Sequence, residues 1–349
     1  MGVTRVGNVG MGDALKFIGA VVAISLITAC ASSDRSAAPD ASPAATSTIG
    51  SPPPSPTSTS TPTATPTSAS APTPSAAMPC GSTGADRPAR YDHVLWIWFE
   101  NHTDKQVIGS PEAPYMNALS QKCGTTTRYS SVGSPSLPNY IGATSGDTHG
   151  ISDDAGPPSH PIDADNIFRQ VRASGRVERS YLESMPTNCA TASSGRYAVK
   201  HNPAAYYTGA DDRRACTTDD VPLGSVQSGA LASAIELDTL PAFSFITPDL
   251  CNDTHDCSVG TGDAWLSTWL PMLLDSAAYR GGHTAIFIVW DEPTPMPFLV
   301  LAPTVPRGAT IDTPIDHYAL LRTTQELLGL SPLLGRAATA PSDRDSFNL

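Results

Sequence analysis

Long apolar stretches and basic residues are both scarce in this chain of 349 residues. After Ala29 no apolar stretch approaches the roughly 20 residues that a membrane-spanning helix needs, so we expect no spanning helix in that part of the chain. Lysine and arginine number 21 against 33 acidic residues, and the formal net charge is −12. Proteins that bind nucleic acid need a basic face, so this balance argues against a nucleic-acid partner.

Several short motifs are missing as well. No serine lies in a G-x-S-x-G motif, which argues against an esterase with a Ser–His–Asp triad. No tight CxxC pair occurs, which argues against a zinc site made of cysteines. The N-terminal region contains no twin-arginine pair, and no segment of the chain is repeated.

The first 29 residues have the pattern of a signal peptide. Arg5 and Lys16 precede an apolar run at residues 17–29, which is too short to span a bilayer. The run ends in LITAC (26–30), which resembles the cleavage region of bacterial lipoproteins. By that resemblance Cys30 carries diacylglycerol, and the protein is exported and anchored by lipid to the extracytoplasmic side of the cell membrane. An ordinary secretory signal with an incidental cysteine is the alternative.

Two segments of contrasting composition follow the leader. Residues 30–77 consist mainly of Ser, Thr, Pro and Ala. Such a segment cannot bury enough apolar surface to fold, so it is predicted to be a disordered, semi-rigid tether. Residues 78–349 have enough length and apolar content for one large catalytic domain.

Six cysteines remain after Cys30, an even number that suggests up to three disulfides in an exported protein. Fifteen pairings are possible. Neighbours along the chain suggest Cys80–Cys123, Cys189–Cys216 and Cys251–Cys257.

The order of apolar segments predicts an α/β fold with a mostly parallel central sheet and helices on both faces. Strands are predicted at residues 93–99, 177–183, 243–247, 284–290 and 297–302. Helices are predicted at residues 114–122, 168–173, 225–236, 263–279 and 317–330.

Polar side chains follow three of these strands. Glu100 and Asn101 follow the first, Asp249 follows the strand at 243–247, and Asp291 and Glu292 follow the strand at 284–290. In open α/β sheets the ligand lies beyond the carboxyl ends of the strands, so these side chains can meet. Glu100, Asn101, Asp291 and Glu292 offer the oxygen ligands that a divalent cation prefers. A single Asp after a strand more often caps a turn or helix.

Ser136 is the candidate nucleophile. Pro138 suits the first turn of a helix, and an apolar pattern begins at Tyr140. Ser136 therefore lies at a helix N-terminus, where amides and the macrodipole favour negative charge. An N-cap serine needs the same geometry, so this motif alone leaves the two roles open.

Seven motifs in order resemble one family. They are ENHT (100–103), SPSLPNY (134–140), ITPD (246–249), NDTHD (252–256), GDAWL (262–266), WDE (290–292) and DHY (316–318). Over residues 91–334 the chain resembles the bacterial phosphoesterase family of acid phosphatases and phospholipases C, within the alkaline-phosphatase-like superfamily. The resemblance implies that Ser136 becomes phosphorylated and that Asn139 contacts a phosphate oxygen. KHNP (200–203) resembles a family block near the substrate, which implies roles there for Lys200 and His201, although a surface lysine is the alternative for Lys200.

The resemblance also implies one or two divalent metal ions at Glu100, Asn101, Asp291 and Glu292. A second group contains Asp249, Asp253, His255, Asp256, Asp263 and His317. In two-metal relatives such a set holds another ion, with Asp253 as one of its ligands. Alternatively, His255 or His317 protonates the leaving oxygen. Asp256 and Asp263 have structural alternatives, a loop contact and a helix cap.

The expected reaction is hydrolysis of a small phosphorylated substrate through a phosphoserine. Residues 293–297 replace a longer, glycine-rich loop of the family, and the appended domains of the larger phospholipases are missing. These departures favour a phosphomonoesterase of the acid phosphatase type over a phospholipase C or phosphodiesterase. A lipoprotein that binds its ligand without turnover is the alternative of another class.

Overall fold

The structure is a computed structural model that describes residues 79–81 and 86–349. The predicted signal peptide, Cys30 and the tether lie outside the described residues. Among the helices that are described, none combines the length and the apolar character needed to cross a membrane.

The described residues form ten strands. They are β1 (His93–Phe99), β2 (Gly124–Thr126), β3 (Tyr129–Ser130), β4 (Glu178–Leu182), β5 (Asp220–Pro222), β6 (Phe243–Thr247), β7 (Thr284–Trp290), β8 (Phe298–Leu301), β9 (Thr310–Ile311) and β10 (Ile315–Asp316).

The same part of the chain forms nine α-helices. They are α1 (Asp104–Val107), α2 (Pro114–Ser120), α3 (Ser136–Ser145), α4 (Ile167–Ala173), α5 (Ala210–Asp219), α6 (Ala230–Glu236), α7 (Val259–Asp275), α8 (Ala277–Arg280) and α9 (His317–Leu328). Three short 3-10 helices cover Val199–His201, Pro203–Tyr206 and Gly335–Ala338.

Eight strands form the central sheet in the order β5-β4-β6-β1-β7-β8-β2-β9. The five strands from β5 to β7 run parallel, which confirms the predicted mostly parallel α/β sheet. β8 runs antiparallel to β7. Only residues 291–297 separate these two strands, and a parallel crossover needs about a dozen residues or more, so the chain must turn back.

The central strands are buried almost completely. Every residue of β6 and β7 is buried, as are six of the seven in β1. Strands that are covered on both faces consist of continuous apolar runs, and this pattern is what predicted the bounds of all three strands from the sequence.

Two helices begin elsewhere than predicted. The helix predicted at 225–236 begins at Ala230, because Ser225 and Ser228 exchange backbone hydrogen bonds in a turn and Gly229 has a φ of 126°. The helix predicted at 263–279 begins earlier, at Val259, and ends at Asp275. Ser276 accepts a hydrogen bond from the Tyr279 amide and so begins the separate helix α8.

All three suggested disulfides are present. Cys80–Cys123, Cys189–Cys216 and Cys251–Cys257 have Cα–Cα distances of 5.3, 5.1 and 4.7 Å. The last closes the loop after β6, which carries part of the candidate site.

Candidate active site

Three buried carboxylates meet at the carboxyl end of the sheet, and we call them the carboxylate cluster: Glu100, Asp253 and Asp291. β1 lies between β6 and β7, so the residues that follow these strands are neighbours. The Glu100 amide donates to the Asp253 carbonyl at 2.8 Å. The Asn101 amide donates to Asp291 Oδ1 at 3.1 Å. All three carboxylate side chains are fully buried.

Ser136 is the first residue of α3, as the sequence predicts, and its hydroxyl reaches the cluster. Ser136 Oγ donates to Glu100 Oε2 at 3.1 Å. Tyr140 lies one turn later on the same face of the helix. Its hydroxyl donates to the other Glu100 oxygen at 2.5 Å. The helix therefore holds Glu100 through both carboxylate oxygens.

His201 lies between two of the carboxylates. Its Nε2 is 3.1 Å from Glu100 Oε1, and its Nδ1 is 3.1 Å from Asp253 Oδ2. The ring is buried and stacks on Tyr140 with 5.3 Å between centroids. The sequence indicated a group near the substrate, whereas the structure directs both ring nitrogens at carboxylates.

Burial dominates the electrostatics of the cluster. It raises the pKa of Glu100 well above its ordinary value, that of Asp253 to about 8 and that of Asp291 to about 7. Burial also lowers the pKa of His201 well below its ordinary value. Asp253 Oδ2 and Asp291 Oδ2 accept no hydrogen bond from the residues described. Buried charge of one sign without such partners is unfavourable, and a cation would relieve it.

Candidate metal-ligand groups are present at this position. One donor atom from each of Glu100, His201 and His255 lies within 4.8 Å of the others. Carboxylate oxygens and imidazole nitrogens together suit a divalent metal. Of the expected ligands, Asn101 contributes its backbone amide at a left-handed φ of 60°. Glu292 acts on Asp291 through its charge, which adds to the rise in the pKa of Asp291.

Four polar groups form the outer side of the site. His255 Nδ1 is 2.7 Å from Asp256 Oδ1, and His255 Nε2 is 3.3 Å from Lys200 Nζ. Lys200 Nζ is also 3.0 Å from Asp154 Oδ2. Sequence reasoning missed Asp154, because an acidic pair in a loop with no periodic pattern gives no signal of its own.

The structure directs His317 away from the expected role as a catalytic acid. The ring is fully buried, with Nδ1 at 2.5 Å from the Tyr129 hydroxyl and Nε2 at 2.9 Å from the Asp291 carbonyl. Both ring nitrogens of His317 therefore have hydrogen-bond partners in the chain itself. Burial lowers the pKa of His317 to about 4, so the ring is neutral at physiological pH. His317 supports the backbone of Asp291 instead of facing a substrate.

Asn139 is also directed elsewhere than expected. Its Oδ1 accepts from the amides of Val132 and Gly133 at 2.9 and 2.8 Å, and its side chain is fully buried. These contacts hold the loop before Ser136, and the phosphate contact of Asn139 stays a prediction.

Asp249 and Asp263 have structural contacts rather than positions at the cluster. Asp263 accepts from the amides of Tyr115 and Met116 at 3.0 and 2.8 Å, so it caps α2 rather than its own helix. Asp249 Oδ1 accepts from the amides of Cys251 and Asn252, both at 3.1 Å, and orders the disulfide loop.

Comparison with known proteins identifies the family of this chain. The phosphoesterase family model matches residues 96–295, which include Glu100, Ser136, Asp253 and Asp291. The chain belongs to the phosphoesterase family. It is therefore a hydrolase that acts on phosphate ester bonds.

Two curated relatives cover most of the chain. A phosphatidylinositol-3-phosphatase of Mycobacterium tuberculosis is 28% identical over 77% of this chain and 87% of its own length. A phosphate-repressible acid phosphatase of Penicillium chrysogenum is 26% identical over 75% of this chain. The chain spans 65% of that second relative, slightly less than two thirds of its length.

Among solved structures, one from work on glycosaminoglycan metabolism by Bacteroides thetaiotaomicron has a TM-score of 0.51. It is 12% identical, and the match covers 74% of this chain and 76% of that one. The likeness is to the fold. A Vibrio parahaemolyticus protein of the alkaline phosphatase superfamily has a TM-score of 0.48 at 14% identity, over 74% of this chain and 72% of its own.

Proposed function

We propose that this phosphoesterase is an extracytoplasmic, metal-dependent phosphomonoesterase of the acid phosphatase type, which acts through a phosphoserine at Ser136. The observation that carries the proposal is the contact of Ser136 Oγ with Glu100 in a buried carboxylate cluster that has too few compensating partners. A serine at a helix N-terminus beside such a cluster combines a nucleophile with a site for a cation.

The first step forms the bond between Ser136 Oγ and phosphorus while the bond from phosphorus to the ester oxygen breaks. The hydroxyl proton of Ser136 is directed at Glu100 Oε2, 3.1 Å away. The departing alkoxide takes a proton from His255, whose Nδ1 is oriented by Asp256 and whose Nε2 is turned toward the site. Water then attacks the phosphoserine, releasing phosphate and restoring the serine hydroxyl.

Glu100, Asp253, Asp291 and His201 are the residues that would hold the metal, while His255 serves as the proton donor. A divalent cation here would neutralise charge on the phosphate oxygens and favour ionisation of the serine hydroxyl. The residues fit a cation because the two Oδ2 atoms of Asp253 and Asp291 accept no hydrogen bond in the described part of the chain. Lys200 adds a positive charge on the outer side of the site, where a phosphate oxygen can use it.

Support for a monoester substrate comes from the relatives. Five matched proteins carry names of phosphatases, one for a phosphoinositide and four for acid phosphatases. A phosphoinositide 3-phosphate is also a phosphomonoester, so a lipid phosphomonoester is the second candidate substrate. Export is supported by the three disulfides, which persist in oxidising compartments.

The deciding experiment is phosphate release from p-nitrophenyl phosphate by the full-length chain, with bis-p-nitrophenyl phosphate as the diester control. We expect monoester turnover that a chelator removes and a divalent metal restores. Ser136→Ala should lower kcat by roughly 10³-fold or more, because it removes the attacking oxygen. Ser134→Ala is the matched control, because Ser134 is exposed in the same loop.

Acid quenching followed by mass spectrometry tests the intermediate. We expect a phosphorylated peptide that contains Ser136 in the wild type and not in Ser136→Ala. Turnover that survives Ser136→Ala would contradict the phosphoserine route. Binding of phosphate without turnover of any ester would favour the alternative of a binding lipoprotein.

A further inference from the structure

A carboxylate of the chain itself lies at the N-terminus of the nucleophile helix. Asp154 Oδ1 accepts the backbone N–H of Leu137 at 3.0 Å, one residue after Ser136. The next residue, Pro138, has no N–H to offer. Asp154 therefore uses an amide of the first turn of α3, which is where the helix favours an anion.

The second oxygen of Asp154 meets a cation. Lys200 Nζ lies 3.0 Å from Asp154 Oδ2 and 3.3 Å from His255 Nε2. One carboxylate thus receives a helix amide and an ammonium group, two kinds of donor that also bind phosphate oxygens. Both groups lie beside the serine that we propose to attack phosphorus, so Asp154 and a bound phosphate need the same donors.

We propose that Asp154 is a resident anion that fills the phosphate-binding corner beside Ser136, and that a phosphate monoester or inorganic phosphate binds by displacing it. This inference rests on the proposed function for the identity of the ligand. The carboxylate keeps the Lys200 charge and the Leu137 amide paired while no ligand is bound. It also opposes retention of the product, because phosphate must compete with it for both donors.

The loop that carries Asp154 allows the exchange. Residues 147–166 connect α3 to α4 without a helix or strand between them. The loop is anchored after Asp154 by Tyr206: its Oη donates to the Ala155 carbonyl at 3.2 Å, and the Ile162 amide donates to the Tyr206 carbonyl at 3.0 Å. The Asp154 side chain is 28% exposed. Rotation of that side chain can therefore release the donors while the backbone stays in place.

The test measures the affinity of the full-length chain for inorganic phosphate by isothermal titration calorimetry, at a fixed Mg²⁺ concentration. Asp154→Asn keeps the size of the side chain and removes its charge. We expect this variant to bind phosphate roughly fivefold to thirtyfold more tightly than the wild type, which is the change that a loss of about 1–2 kcal/mol of competition predicts. If the chain turns over p-nitrophenyl phosphate, the inhibition constant of phosphate for the Asp154→Asn variant should fall by the same factor.

Asp153→Asn is the matched control. It changes the net charge equally at the adjacent residue, but Asp153 pairs with His160 at 2.6 Å and not with Lys200. We expect no change in its affinity for phosphate. Asp154→Ser provides a second uncharged variant if Asp154→Asn fails to fold, which circular dichroism will show.

Unchanged or weaker phosphate binding by both Asp154 variants would overturn the inference. In that case Asp154 merely positions Lys200, and Asp154→Asn combined with Lys200→Gln should be no weaker than Lys200→Gln alone. Turnover is scored separately with p-nitrophenyl phosphate. A wild type that hydrolyses no ester would refute the proposed function, whereas the phosphate titrations would still decide the role of Asp154.

Discussion

Two groups of buried carboxylates in this protein differ in their partners. In the first, which we call the arginine cluster, Glu178 and Asp212 meet Arg169 and Arg172 where α4, β4 and α5 pack together. Arg172 alone contacts both acids, with Nη2 at 2.5 Å from Asp212 Oδ1. In the carboxylate cluster at the end of the sheet no arginine or lysine lies within salt-bridge distance of the three acids in the described residues, and the His201 ring contacts two of them, Glu100 and Asp253.

Glu178 and Asp291, one acid from each group, have similar pKa values, and the two groups differ in whether a cationic side chain contacts them. Burial raises the pKa of Glu178 to about 7, although Arg172 opposes the rise, and burial raises the pKa of Asp291 to about 7 as well. Glu178 nevertheless has a guanidinium partner, whereas Asp291 Oδ2 accepts no hydrogen bond among the residues described. A buried acid with a cationic partner stabilises the packing around it, and one without such a partner is available to bind a ligand.

Asp291→Asn tests whether the carboxylate cluster serves catalysis, and we expect it to have the largest effect on turnover. We expect turnover to fall by roughly 10³-fold or more, because the site loses charge that holds the proposed cation. Without metal, the variant should be as stable as the wild type or more stable, since an unpaired buried charge is gone. Kinetics and urea unfolding measure the two effects, with Asp312→Asn at an exposed position as control. Full activity in Asp291→Asn would remove Asp291 from the site.

Arg172→Met tests whether the arginine cluster stabilises the fold. It leaves Glu178 and Asp212 short of a partner, and we expect a loss of roughly 3–5 kcal/mol in the free energy of unfolding. Arg214→Met is the matched control, because the Arg214 side chain is 78% exposed and, among the described residues, pairs only with Asp211 in its own helix. Urea denaturation of both variants checks the difference. Equal stabilities would mean that the arginine cluster contributes little.

Asp343 is a buried acid that belongs to neither the arginine cluster nor the carboxylate cluster. Its carboxylate is buried, its Oδ2 accepts no hydrogen bond in the described part, and burial raises its pKa from 3.8 to about 7. Between these values the folded state binds more protons than the unfolded state, so stability falls as the pH rises from about 4 to 7. Asp343→Asn should remove the part of this slope that comes from Asp343 and gain roughly 2–4 kcal/mol at pH 8. Unfolding free energies from pH 4 to 8 test this, and parallel curves for variant and wild type would contradict it.

Tyr129→Phe should give the smallest effect and sharpen the role of His317. The tyrosine hydroxyl bonds to His317 Nδ1, and its loss leaves a buried ring nitrogen unpaired, at a cost of about 1–2 kcal/mol in stability. Because His317 Nε2 lies at the Asp291 carbonyl, we also expect a modest fall in kcat with little change in KM. Tyr318→Phe is the control, because the Tyr318 hydroxyl has no hydrogen-bond partner among the described residues. Equal behaviour of both variants would argue against the support role.

The parts predicted well from the sequence are those that short patterns encode. β1, β6 and β7 have the predicted bounds because a strand that is buried on both faces must be apolar throughout. Ser136 begins a helix as predicted, since Pro138 and the following apolar pattern are local signals. The three disulfides join cysteines that are neighbours in chain order, which is the simplest of the fifteen pairings.

The parts predicted poorly depend on contacts between distant segments. Asn139, Asp263 and His317 are of the residue types expected at a phosphate or metal site. Their side chains instead hold a loop, cap another helix and support a strand end. Residue type and spacing do not reveal which backbone group lies opposite a side chain after folding, so the two kinds of role look alike in the sequence.

The sequence by itself determined the order of the main buried strands, the helix start at Ser136 and the acids that follow the strands, because each depends on residues close together in the chain. Only the tertiary structure decided that Glu100, Asp253 and Asp291 form one buried cluster around His201, and that Asp154 reaches the helix of Ser136. Those contacts join residues 17 to 190 positions apart in the chain. Their geometry depends on the order of the strands in the sheet, which no short segment of sequence encodes.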